Sequence, residues 1–174
     1  GGKGSTWEGG VREPTIAWWP GRIAPGSVCD AAASEMDVLP TLVKLGGGEV
    51  PADRVIDGRD IWPLLSGQST QSPHEALYYF RSNRLEAVRS GPWKLAIVPR
   101  GPGMGKAAGD KAQHPLMPTL HNLDQDIGET TDVAGQNPDV VKRLQGNSAK
   151  WAATLAGTPS GPGGPRSDPF KNPS

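Results

Sequence analysis

The chain has 174 residues, enough for one ordinary domain or two small ones, and its 18 Lys and Arg balance 18 Asp and Glu. Zero net charge argues against a general nucleic-acid binder, which needs a basic surplus on one surface, and no apolar run reaches the roughly 18 residues of a membrane span. The single cysteine excludes an internal disulfide framework and a cysteine zinc site, while 24 Gly and 18 Pro put the chain near a disordered composition, from which its zero charge holds it back.

The chain opens on Gly1-Gly2-Lys3-Gly4, without an initiator methionine and inside a glycine-rich stretch, so we expect a piece of a longer protein. Residues 15–19 are a β-prone run closed by Pro20-Gly21, and their lack of alternation predicts a strand covered on both faces. A helix is expected after Ser34, with Asp37 as its cap, Pro40 in its first turn and Val38, Leu39, Leu42 and Leu45 in one stripe before three glycines. A strand and then a helix with Gly-rich connections is α/β grammar. Residues 49–73 read as loop, with one helical turn near 61–65.

From Leu77 the pattern turns to short strands, over 77–80, 85–89, 93–98 and 119–123, of which the second and third pair through the turn Ser90-Gly91-Pro92. Residues 99–118 read as a flexible loop. The last helix is the clearest element: Asn137 caps it, Pro138 sits at its first position, and Val141, Leu144, Ser148, Trp151 and Leu155 form its apolar stripe before Gly157. The expected organisation is an α/β part over 1–73, an antiparallel-sheet subdomain with a packing helix over 74–157, and a disordered Gly/Pro-rich tail over 158–174.

Lys3 is the first candidate for chemistry, because glycines on both sides leave room for close approach and one ammonium among backbone N–H groups suits a tetrahedral oxyanion. Gly101 to Lys106 imitates a phosphate loop, but Ala107 stands where Ser or Thr is required. His74, His114 and His121 are too far apart for a metal site and are expected to face solvent. Cys29 reads as an ordinary half-buried thiol, and Asp30, Asp53, Asp57 and Asp60 fall at no calcium-loop spacing. Trp18-Trp19 and Tyr78-Tyr79 are adjacent on strands, so neither pair offers two rings on one face for stacking sugars.

The string Gly2-Lys3-Gly4-Ser5-Thr6-Trp7-Glu8-Gly9-Gly10-Val11-Arg12-Glu13-Pro14 resembles the second signature of the sulfatase family, G-K-x-T/S-x-aromatic-E-G-G-x-R-x-P. The resemblance continues through Ile16 to Gly21, Asp37-Val38-Leu39-Pro40-Thr41-Leu42, Asp57-Gly58 with Leu64-Leu65-Ser66-Gly67, Leu77 to Phe80, Ala87-Val88-Arg89, Trp93-Lys94-Leu95 and Leu123 to Glu129. It spans roughly residues 1–156 and has the flavour of the arylsulfatase A and N-acetylgalactosamine-6-sulfatase branch.

The resemblance implies the end of an alkaline-phosphatase-like α/β domain followed by a small α+β subdomain of about four antiparallel strands with a C-terminal helix. It implies that Lys3 binds a sulfate oxygen and that Glu8 and Arg12 are buried partners holding the loop. It implies a formylglycine nucleophile, made from a Cys or Ser, and calcium, neither with residues in this chain, so that the chain alone should be inactive. Arg81, Asn83 and Arg84 are expected to meet a sulfated small molecule or glycan. The location implied is periplasmic or secreted. A phosphoesterase of the same superfamily, or a non-catalytic carbohydrate-binding or docking module, is the alternative.

Overall fold

The computed structural model describes residues 1–82, 84–101, 103 and 117–156. In chain order it contains the helical turn α1 (Glu8–Val11), helix α2 (Val38–Leu45), the short helix α3 (Trp62–Leu65), strands β1 (Leu77–Arg81), β2 (Arg84–Ser90), β3 (Trp93–Ala96) and β4 (Thr119–Asn122), and helix α4 (Pro138–Ala156). The described residues form no helix long and apolar enough to cross a membrane. Contacts divide the chain into two compact units, Gly1–Glu13 with Ala76–Ser174, and Pro14–Glu75. Residues 1–13, expected with the α/β part, thus group with the sheet that follows.

In the first unit the four strands form one antiparallel sheet in sequential order. The register places Val88 opposite Leu95 and Leu95 opposite Leu120, so one row of fully buried aliphatic side chains crosses β2, β3 and β4. Leu144 of α4 packs on that row, with Trp93, Val140 and Val141 at its margin. Near the far end of the helix Trp151 lies against Tyr78 and Phe80, with ring centroids 5.0 and 4.9 Å apart. The apolar stripe therefore meets the apolar rows, since side chains on one face of a strand recur every second residue. Asn137, expected to cap α4, turns its side-chain amide back to donate to the Val133 carbonyl at 3.0 Å.

One irregularity decides the chemistry of the opposite face. The β1–β2 register shifts between Tyr79 and Phe80, which pair with Ala87 and Leu85, leaving Glu86 as the extra residue of a bulge. A bulge re-aims the side chain it inserts. Glu86 therefore meets Thr6, whose hydroxyl donates to its Oε2 at 2.7 Å. Arg89, Lys94 and His121 form a cross-strand row of polar residues on this face.

In the second unit Asp37 is the organising residue. It is fully buried and accepts the backbone N–H of Ser34 and of Arg59, each at 2.7 Å, while His74 Nε2 lies 2.8 Å from its Oδ1. Ser34 caps the 3-10 turn Glu35–Asp37 in a capping box whose third residue is Asp37, so Asp37 serves that box and not the start of α2 as expected. The Thr41 hydroxyl donates to the Asp37 carbonyl and accepts the Ile61 N–H, tying α2 to the turn before α3.

Three expectations for this unit are corrected. Residues 15–19 form no strand, and Ile16 and Trp18 are 93% and 83% exposed, because no other described strand lies beside them to complete a ladder. Cys29 is exposed, in a stretch without regular structure. His74 is buried against Asp37 instead of facing solvent. The stripe of α2 is also uncovered at Val38, Leu39 and Leu42. The phosphate-loop lookalike, His114 and the tail over 158–174 lie largely or wholly outside the described residues.

Candidate functional site

The site is built around the first thirteen residues. Ser5 closes a tight turn, its N–H and its hydroxyl both donating to the Gly2 carbonyl, at 3.2 and 2.7 Å. Lys3 stands in this turn with its side chain exposed. The turn then folds back on α1, and this explains the paired glycines that follow Glu8. A Cβ on Gly9 would meet the Gly1 carbonyl, and one on Gly10 would meet the Ser5 carbonyl and come within 2.6 Å of the Gly2 carbonyl. Only glycine allows backbone to pass backbone this closely.

The loop is fastened to the polar face of the sheet by consecutive residues. Thr6 bonds Glu86 as above. The Trp7 indole N–H donates to the Gly101 carbonyl at 3.2 Å, and the Arg100 guanidinium lies 3.5 Å over the Trp7 ring. Glu8 accepts Lys94 Nζ at 2.7 Å through Oε1, with Arg89 and Arg12 at 3.8 and 3.7 Å from Oε2. Its own N–H donates to Glu129 Oε2 at 2.6 Å. Glu129 in turn accepts Arg100 at 2.6 Å and stands 3.4 Å from Lys94. Lys94, Arg100, Glu8, Glu86 and Glu129 are all buried, and Arg89 is nearly so. Glu8 and Glu129 thus pair with Lys94, Arg89 and Arg100, and Glu86 takes the Thr6 hydroxyl, so that the buried charges have the partners that make them tolerable away from water.

The electrostatics follow from burial. Lys94 is pushed below its usual value by desolvation, against the pull of Glu129 and Glu8. Burial alone would raise the Glu129 carboxyl, but Lys94 and Arg100 together outweigh it and hold it below the usual range. The Tyr79 hydroxyl is pushed up to about 12, by burial first and by Glu8 next, and Lys94 Nζ sits 4.6 Å over its ring. Burial lowers His121. Its Nδ1 lies 2.9 Å from the Thr131 carbonyl, which can only accept, so Nδ1 carries the proton. Among the described residues His121 Nε2 and Arg100 Nη2 are buried without a hydrogen-bond partner.

The expected site residues fall in different places. Glu8 is buried and Arg12 is half exposed, its side chain 47% open, so the expected burial holds for Glu8 alone. Arg12, the residue just past the end of α1, reaches back to Glu8 without entering the interior. His121, expected at the surface, is buried next to Trp7, with ring centroids 6.3 Å apart, because the loop covers the face where alternation put solvent. Arg81 and Arg84 are exposed at the end of the β1–β2 hairpin, and Asn83 lies outside the described residues. Lys94, Arg100 and Glu129 were missed as partners of the loop. Their polar character was visible, but nothing local distinguishes a lysine under a loop from one in water.

Among the described residues no three His, Cys, Asp or Glu side chains gather as ligands for a metal. The acidic groups close to the loop, Glu8 and Glu129, are committed to Lys94 and Arg100. This donor set does not fit calcium.

Residues 72–162 match the family model of the C-terminal region of aryl-sulfatase, and residues 3–91 match that of the C-terminal part of N-sulphoglucosamine sulphohydrolase. Mouse (Mus musculus) steryl-sulfatase is 50% identical over 98 residues, 54% of this chain and 16% of the relative. Human (Homo sapiens) arylsulfatase A is 39% identical over 160 residues, 83% of this chain and 31% of the relative. The crystal structure of PsFucS1 sulfatase from Pseudoalteromonas sp. superposes with a TM-score of 0.73 at 26% identity, over 90% of this chain and 32% of that one. The chain therefore spans a third or less of the length of these three.

Proposed function

We propose, from the premise that this chain belongs to the sulfatase family and corresponds to its C-terminal region, that it forms part of an enzyme hydrolysing sulfate esters, with Lys3 as the sulfate-binding cation. The observation that carries this reading is the exposed Lys3 in a turn locked from Ser5 to Glu8 by buried hydrogen bonds and ion pairs. As the sulfuryl group transfers, negative charge spreads over its oxygens, and a cation already held where that charge develops lowers the barrier without reorganising. Glu8 and Arg12 hold the loop; neither reacts.

The nucleophile, a formylglycine hydrate derived from Cys or Ser, and the calcium ligands come from the part of the relatives that this chain does not span. The 174-residue chain by itself is therefore inert. The natural substrate is a sulfated small molecule or glycan, and the setting is periplasmic or secreted. Within a polypeptide that includes the catalytic part, 4-nitrophenyl sulfate is hydrolysed and Lys3→Ala lowers kcat by about 10²- to 10³-fold, the usual cost of one oxyanion-stabilising donor. Unchanged kcat in that variant, preference for the phosphate ester, or turnover by the 174-residue chain alone would each contradict the reading.

A further inference from the structure

The β1–β2 hairpin end carries charges that the fold does not explain. Arg81 and Arg84 are direct cross-strand partners, and like charges in that relation repel. Both are exposed, and no carboxylate pairs with either among the described residues. The cations under the loop, by contrast, are paired: Lys94, Arg89 and Arg100 meet Glu8 and Glu129.

Their position is equally specific. A Cβ on Gly101 would meet the Arg81 Nη1 atom, so the guanidinium lies directly on the Gly101 backbone. The carbonyl of the same residue accepts the Trp7 indole N–H from the loop that carries Lys3. Two residues on, a Cβ at Gly103 would lie 2.5 Å from the Gly2 carbonyl and 2.8 Å from the Lys3 carbonyl. Since three consecutive Cα atoms span at most about 7 Å, the Arg81 head group is within about 15 Å of the Lys3 backbone. The Lys3 backbone and the Arg81 head group thus lie on the same short stretch of structure, within a span that the Lys3 stem and one or two sugar rings can together bridge.

We propose that Arg81, with Arg84 beside it, is a second anion-recognition element next to Lys3, selecting substrates in which the sulfate ester shares a small sugar with another anionic group. This rests on the reading of Lys3 as the sulfate contact. It assigns the two exposed arginines to specificity, since they touch neither the buried ion pairs nor the apolar core. An exposed guanidinium and anion gain little each, about fivefold in affinity, so discrimination comes from meeting both anions at once.

The test is binding to the full 174-residue chain by titration calorimetry, with a methyl hexoside monosulfate and the corresponding disulfate as probes. The disulfate should bind about tenfold more tightly, and Arg81→Ala/Arg84→Ala should bring the two affinities within about twofold of one another. Lys3→Ala should weaken both sugars by a similar factor and leave their ratio in place. A ratio near one in the unmodified chain, a ratio unaffected by the double substitution, or binding of neither sugar would overturn the proposal. Far-UV circular dichroism of the double variant verifies that the sheet persists. Because no turnover is read, failure of this assignment is separate from failure of the hydrolytic reading.

Discussion

Replacing Lys94 by Met removes one charge and keeps the stem, which makes it the sharpest perturbation of the loop's anchorage. Lys94 is fully buried, 2.7 Å from Glu8 and 3.4 Å from Glu129. Without it Glu129 still holds Arg100 at 2.6 Å, but Glu8 is left with two guanidinium contacts at 3.7 and 3.8 Å, both beyond hydrogen-bond reach. Breaking a buried ion pair from one side costs about 3–5 kcal/mol, and the surviving arginines place this case near the lower end, about 3 kcal/mol. For a unit of this size that is a fall in Tm of about 12 °C or more. Urea unfolding followed by tryptophan fluorescence measures the loss. Adding Glu8→Gln removes the stranded charge, so the double variant should be less destabilised than the sum of the singles by about 0.5–3 kcal/mol. Amide exchange should accelerate at Glu8, whose N–H is held by Glu129. A single-variant loss under about 1 kcal/mol, or additivity within about 0.5 kcal/mol, would refute the idea that this lysine secures the loop.

Acidification should destabilise the first unit in two stages. Burial lowers His121 from 6.5, so just below that pH the unfolded chain binds the extra proton and the native one does not, and stability present above 6.5 is lost as pH falls through the native value. Glu129 stays ionised below its ordinary 4.5 because Lys94 and Arg100 outweigh its burial; its contribution is present above 4.5 and disappears as pH falls through its lowered value. His121→Asn, which can still donate to Thr131, should flatten the first stage in thermal melts and leave the second. Asp37→Asn should cost the second unit about 3 kcal/mol, because two N–H donors and His74 lose a buried carboxylate, and limited proteolysis within residues 14–75 should quicken. Gly10→Ala should open the Lys3 turn, since its Cβ would meet the Ser5 carbonyl, and amide exchange should rise at Ser5 and Gly10 while β1–β4 stay protected.

Alternation and capping signals made the sheet and α4 legible before any coordinates. The four expected strands appear within two residues of their limits, and Pro138 opens α4 as expected. Periodicity failed where its assumption failed. Lys94 and His121 alternate with Leu95 and Leu120 as solvent-facing residues do, yet a loop some 80 to 120 positions earlier covers them. Nothing local records such a cover. The bulge at Glu86 is equally silent in the sequence, because its cause is the pairing with β1 and not the residues of β2. Residues 15–19 show the converse: their composition is that of a buried strand, but a strand exists only with a partner, and Trp18 stays in solvent here. The motif resemblance singled out Glu8, and its partners Lys94 and Glu129 lie in two further motifs, Trp93-Lys94-Leu95 and Leu123 to Glu129. What the motifs share became visible only as contact.

The two faces of the sheet therefore divide the work by chemistry. The helix face is apolar, and its stabilisation depends on area more than on angle, so α4 can tolerate small shifts on Val88, Leu95 and Leu120. The loop face cannot work that way, because Gly1, Gly2, Gly4, Gly9 and Gly10 offer almost no side chains to bury. Ion pairs and hydrogen bonds supply direction in place of area: Glu8 uses its carboxylate toward Lys94 and its N–H toward Glu129, which fixes both the position and the orientation of the segment leading to Lys3. An apolar pair at Glu8 and Lys94 could match the stability, but it would leave a glycine-rich turn free to slide. Under the role proposed for Lys3, a cation must already stand where negative charge will develop, and resistance to sliding then matters more than total binding energy, which accords with a charged face under the loop and an apolar face under the helix.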